Sequence, residues 1–189
     1  AVDEYLSYIE KYPGQKSNEK ISNPVWHVHN GSPPKEKIVM PFSMLLNIVG
    51  SSNAKSKEVL WKFIKKFHKE INPESHKILD ELTSYAINYF VDEVEPKKKF
   101  KKPNKNEKKA LENLILQLKK TSQTTPAEEI QTMIYSTGKE NGYKENLRDW
   151  FKLIYQVTFG EENGPRMGFF ISFFGVKETI DLMEKKLKI

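Results

Sequence analysis

Apolar positions recur three and four residues apart along most of this chain, the spacing that lines one side of an α-helix. Leu60, Phe63, Ile64, Phe67 and Ile71 make one such stripe, so this stretch must bury that side against a partner. On its opposite side Lys55, Lys62, Lys65, Lys66 and Lys69 fall within one narrow arc. Leu79, Leu82, Ala86, Tyr89 and Phe90 predict a second helix, starting near Pro73 with Asn72 as its cap. Pro96 stops it, because a residue that precedes proline is pushed out of helical geometry. Helices resume at Glu107 with Ala110, Leu111, Leu114, Ile115 and Leu118 on one face. Thr125-Pro126-Ala127-Glu128 then reads as a start signal, with Thr125 capping, Pro126 in the first turn and Glu128 closing a capping box. The next helix carries Leu147, Trp150, Phe151, Ile154 and Val157, and a turn at 163–166 leads into 167–174 and a last helix after Gly175. Four phenylalanines between Phe169 and Phe174 give a wide apolar face, the mark of a packed core rather than of an exposed stacking platform.

One region departs from this rhythm. Between Ser22 and Met40, Val25 to His29 reads as a short extended strand and 30–34 as a turn. The expectation is an all-α fold, a bundle or cage of about seven or eight helices with one short extended or irregular segment near the N-terminus. The stretch 97–106 reads as a linker between a helical subdomain at 1–96 and a terminal one at 107–189, because it combines prolines, asparagines and dense like charge.

Charge changes the picture once it is located. The net charge is +6, yet eight lysines and a single acid lie between Lys97 and Lys109, which leaves the remainder at −1. The molecule is nearly neutral with one strongly basic segment, either a solvated linker or a contact for a polyanion. Phe100 inside the run favours the second, since lysines interleaved with an aromatic suit phosphate attraction plus base stacking. Only Arg148 and Arg166 are arginines, against 29 lysines. Cysteine is absent, which excludes disulfides, cysteine-ligated zinc and thiol nucleophiles in this sequence and fits a cytoplasmic setting. No stretch is apolar for long enough to span a membrane. A start at Ala1 inside a helix, without methionine, looks like an excised fragment.

Catalytic signatures do not assemble: there is no glycine-rich phosphate loop, no nucleophile elbow and no pair of histidines at helical metal spacing. His27 and His29 would point to one face of a strand, but no third ligand is evident, so structural or RNA-contacting roles are favoured over a metal site. The expectation is a chain with no active site of its own.

Two segments resemble a known family. The first is Asn23-Pro24-Val25-Trp26-His27, with His29, Gly31, Pro33 and Pro34 after it and then Phe42, Ser43, Leu45, Leu46 and Asn47. It looks like the segment that follows the catalytic core of class I lysyl-tRNA synthetases. The second runs from Leu147, Trp150, Phe151 and Tyr155 through Gly164-Pro165-Arg166, Gly168 and Phe170 to Phe174, Gly175 and Thr179. It resembles the terminal helices of that family, and more loosely those of glutamyl-type synthetases. The two bracket the chain; its lysine-rich middle matches only in character. The resemblance implies a helical anticodon-binding cage appended to an N-terminal Rossmann catalytic domain, where ATP and lysine would bind, so no cofactor is expected in this fragment. The partners implied are that catalytic domain and the anticodon stem-loop of lysine tRNA. Arg166 is then the first candidate for a base contact, or else a salt bridge bracing the terminal helices, and Lys177 a weaker one. Lys97, Lys98, Lys99, Phe100, Lys62, Lys66 and His27 are candidates along the stem. The rivals are a helical protein-interaction module with a basic tether, and a membrane-surface binder that would need the phenylalanine face of the Lys55–Lys69 helix exposed.

Overall fold

In the computed structural model, which describes residues 1–188, the predicted periodicities wind into helices throughout, and no strand occurs among the described residues. The elements are α1 (Val2–Lys11), α2 (Ser17–Ser22), α3 (Pro24–Val28), α4 (Phe42–Ser52), α5 (Lys57–Phe67), α6 (Lys77–Tyr89), α7 (Lys105–Leu118), α8 (Ala127–Gly138), α9 (Leu147–Thr158), α10 (Met167–Phe174) and α11 (Val176–Leu187). The all-α expectation holds, but the described residues form eleven α-helices rather than seven or eight. The surplus includes α2 and α3, of six and five residues, too short for apolar periodicity to register. Ile189, the last residue of the predicted terminal subdomain, lies outside the described residues.

The expected strand at Val25–His29 is the helix α3. Asn23 caps it by accepting from the Val25 N–H at 3.1 Å, and Pro24 takes the first helical position, where its missing donor costs nothing. Alternation across a strand would have aligned His27 with His29; on a helix, positions two apart diverge by about 200°. His29 turns inward and its Nε2 lies 2.8 Å from the Tyr5 hydroxyl, while His27 is exposed beside the edge of Trp26. The following residues to Met40 run without helix. Within them, the Glu36 carboxylate accepts the Ile78 N–H at the start of α6.

Two other helix starts differ from expectation. Asn72 accepts from Ser75 N–H at 2.9 Å in a turn of its own, and α6 begins only at Lys77. No capping box forms at Thr125: Pro126 is itself the N-cap of α8, and the Glu128 carboxylate reaches instead across to Arg166. At the other end of α6 the chain continues through a wide turn (Phe90–Val94) and a tight one (Glu95–Lys97), ending at Pro96 as the ring demands.

The core is continuous from Met40 to Met183, and Leu45, Ile64, Leu114, Trp150 and Phe170 within it are wholly buried. Each large side chain of this kind contributes roughly 1.5–3 kcal/mol by leaving water. Phe170, Phe173 and Phe174 are buried here, so the phenylalanine block is core. Phe174 packs on Phe63 of α5 with ring centroids 4.9 Å apart. The apolar face of α5 is therefore covered, which removes the membrane-surface reading.

Candidate nucleic-acid interface

Three helices converge where the second conserved-looking sequence block folds back on α8. Gly168, in the first turn of α10, lies so close to α8 that a Cβ there would meet the Ala127 carbonyl. Its N–H, which a helix start leaves without an intrahelical acceptor, donates to the buried Gln131 Oε1 at 2.7 Å. Trp150 of α9 is fully buried and donates its indole N–H to the Ile134 carbonyl at 3.0 Å. These contacts hold α8, α9 and the start of α10 in fixed register.

Between them lies a cleft of about 640 Å³. Arg148, Phe151 and Tyr155 share one face of α9 because they stand three and seven residues apart, and all three line it. Tyr135 of α8 forms the opposite wall, its ring 5.0 Å from that of Phe151. The turn between Gly160 and Arg166 closes the third side with Asn163 and Arg166. Gly164 is needed in that turn because any side chain would strike the Tyr155 ring. Tyr155 also donates its hydroxyl to the Pro165 carbonyl at 2.9 Å, and burial raises its pKa to about 12, so it stays a neutral donor.

Both arginines of the chain thus open onto one cleft with three aromatic rings. Arg166 is N-cap of α10 and pairs with Glu128, but the two side chains are 59% and 73% exposed, so the pair is weak and exchangeable. Arg148 makes no ion pair among the described residues. Acids are present too: Asp149 is held by Asn146 at 2.7 Å, and Glu162 pairs with Lys152 at 2.9 Å.

The lysine run is neither helix nor free coil before Lys105. Lys99 N–H donates to the Gly160 carbonyl at 2.8 Å and Lys101 N–H to the Gln156 carbonyl at 3.1 Å, so 98–102 lies as an extended strap along the end of α9. Lys97 and Lys99 are exposed and line a depression of about 430 Å³ that shares Glu162 and Asn163 with the arginine cleft. Lys98 turns inward over the Phe90 ring, 3.5 Å from Glu161, and burial pulls its pKa below the usual lysine range. Phe100 is about half exposed, with the Lys186 ammonium 3.4 Å from its ring centre.

The remaining predicted residues lie apart from the cleft. Lys62 and Lys66 project from α5, and Lys66 is 2.8 Å from Glu178 at the start of α11, next to the exposed Lys177. His27 sits on α3, whose packing partners are α1 and α2. Among the described residues no group of three or more histidine or acidic side chains is placed to hold a metal ion, and no helix is long and apolar enough to cross a membrane. Sequence reasoning missed Arg148, Tyr135 and the cleft-lining role of Phe151. The available signals were the scarcity of arginine and the shared face of Arg148, Phe151 and Tyr155.

No protein-family model matches the chain. The lysine–tRNA ligase of Roseobacter denitrificans is 40% identical to it over 187 residues, which is 99% of this chain and 35% of the relative. That of Rickettsia felis is 40% identical over 188 residues, 98% of this chain and 36% of the relative. The chain is related over its whole length to lysine–tRNA ligases. One from Rickettsia bellii agrees, at 39% identity over 98% of the chain. The chain spans about a third of the length of these curated relatives. Similarity of this extent covers the lysine strap as well as the two bracketing segments, so the whole chain, not only its ends, corresponds to ligase sequence.

Proposed function

We propose that this chain is the anticodon-binding region of a class I lysine–tRNA ligase, lying C-terminal to a catalytic part that binds ATP and lysine in the cytoplasm. In this reading it grips the anticodon stem-loop of lysine tRNA and so helps to place the distant acceptor end at that catalytic part. The observation that carries the reading is the meeting of Arg148, Arg166 and three aromatic rings in one cleft beside the lysine strap. Proteins read single-stranded loop bases on aromatic and guanidinium planes and by hydrogen bonds to base edges. Strap lysines supply attraction to phosphate that is independent of sequence. The division of labour between 1–96 and 107–189 is part of the same proposal, with the terminal part bearing the loop and Lys62, Lys66 and Lys177 facing the stem.

The test is a titration of fluorescent lysine tRNA and of a tRNA with an unrelated anticodon, at several salt concentrations. Affinity for lysine tRNA should fall steeply with salt and exceed that for the other tRNA. In the intact ligase, Arg166→Ala should weaken charging about tenfold while leaving lysine activation unchanged, the loss expected for one charge-assisted contact. Binding that ignores salt, or that is absent for every RNA, would transfer the chain to the protein-interaction class.

A further inference from the structure

We propose that the cleft between α8 and α9 seats one unstacked uracil, with Tyr135 as its stacking wall and Arg148 as the residue that reads its carbonyl edge. The inference rests on the anticodon-binding reading and goes further, naming the base and the reader. Arg148 does nothing evident for the fold. It stands in the first turn of α9, where a cation opposes the helix dipole, and no carboxylate pairs with it among the described residues. A guanidinium left unpaired at the mouth of an aromatic cleft is available for a ligand. Tyr135 is 40% exposed, yet the neighbouring Phe151 ring braces it, so its place is set before any base arrives.

The polar groups match uracil rather than cytosine. Uracil presents acceptor, donor, acceptor along its pairing edge; cytosine puts an amino donor where uracil has the O4 carbonyl. Arg148 offers only donors, so it can satisfy a carbonyl and is repelled by an amino group. Asp149, adjacent in the same cleft, keeps a carboxylate oxygen beyond the one held by Asn146, and can accept from the uracil N3–H. Asn163 across the cleft can donate to the second carbonyl. The cleft opens past Asn163 to Lys97 and Lys99, which gives the flanking phosphates a basic exit. Lysine tRNA carries uridine at its second and third anticodon positions, so such a base is available.

The experiment measures binding of labelled stem-loop RNAs to the 189-residue chain at fixed salt: the UUU anticodon, and the same loop with a single U→C change at the second or third letter. The unaltered chain should lose roughly 10- to 100-fold in affinity on one of those changes. Arg148→Gln should bring the U and C loops within about threefold of each other, and Arg148→Lys should not restore the gap, because the fork is lost. Tyr135→Ala should weaken every loop by roughly 5- to 100-fold while keeping the U-to-C ratio, and Tyr135→Phe should restore binding. Both side chains are exposed, so unchanged thermal unfolding of the variants separates a reading role from misfolding. If the unaltered chain discriminates and Arg148→Gln discriminates equally, the base lies elsewhere and this inference alone falls. If the unaltered chain treats all loops alike, the anticodon-binding reading falls with it.

Discussion

The arginine cleft and the lysine strap lie on either side of the Gly160–Asn163 turn, and they are built on opposite principles. The cleft is a product of packing: three helices, two glycine contacts and a buried tryptophan set the places of a few planar groups. The strap is a product of charge: its backbone is tied down by two hydrogen bonds, and its exposed lysines keep their rotamer freedom. A fork-shaped cation beside aromatic rings can distinguish one base from another, whereas a mobile ammonium can only sense that phosphate is near. Selectivity should therefore reside in the cleft and salt-sensitive affinity in the strap.

The sharpest way to break this contrast is Trp150→Ala. Loss of a fully buried indole should cost about 3–5 kcal/mol, seen as an earlier midpoint in urea unfolding. In whatever folded fraction remains, base selectivity should be lost before salt-dependent RNA attraction. If the two disappear together, the regions are not separable.

Next in size is replacement of Lys97, Lys99 and Lys102 together by Gln. Binding should weaken for every RNA alike, and the slope of log affinity against log salt should shrink by about 0.7 for each phosphate contact removed. A change confined to lysine tRNA would assign base reading to the strap instead.

Tyr155 links the two regions, since its hydroxyl holds the turn between them. Its pKa is raised from 10.0 to about 12, so the neutral form is favoured in the fold. Its contribution is complete below pH 10 and is lost as pH climbs from about 10 to about 12, where the unfolded chain releases this proton and the folded chain keeps it. Tyr155→Phe should lower stability at neutral pH by about 1 kcal/mol through the lost hydrogen bond. It should also flatten the alkaline limb of a stability–pH curve.

The smallest expected effect is Glu128→Gln. The Arg166–Glu128 pair is exposed, so its loss should change stability by no more than about 1 kcal/mol. It frees Arg166 for RNA, however, and affinity should hold or rise. A marked fall in affinity would make Glu128 a contact in its own right.

How much of this was legible beforehand varies by element. The stripes of α5, α7 and α9 were plain in the sequence because burying one side of a long helix forces a repeating pattern. The short helix α3 was not, since five residues cannot display a period and a side-chain cap at Asn23 decides its start. The Thr125 signal misled because Glu128 had a better partner outside its own helix, in Arg166. Arg166 was picked out by its place after Gly164-Pro165, but Arg148 was passed over, since nothing local sets it apart from a solvated surface cation.

The sequence by itself determined that this chain is all-helical, that its basic charge is concentrated at 97–109, and that both its ends look like parts of a lysyl-tRNA synthetase. Those properties live in composition and in spacing along the chain. Only the tertiary structure decided that Arg148 and Arg166, eighteen residues apart, face one aromatic cleft, and that the lysine run lies against it rather than hanging free. Such meetings depend on which helix faces pack together and on close approaches like those at Gly164 and Gly168. Interdigitation between distant segments sets these contacts, and no local pattern encodes them.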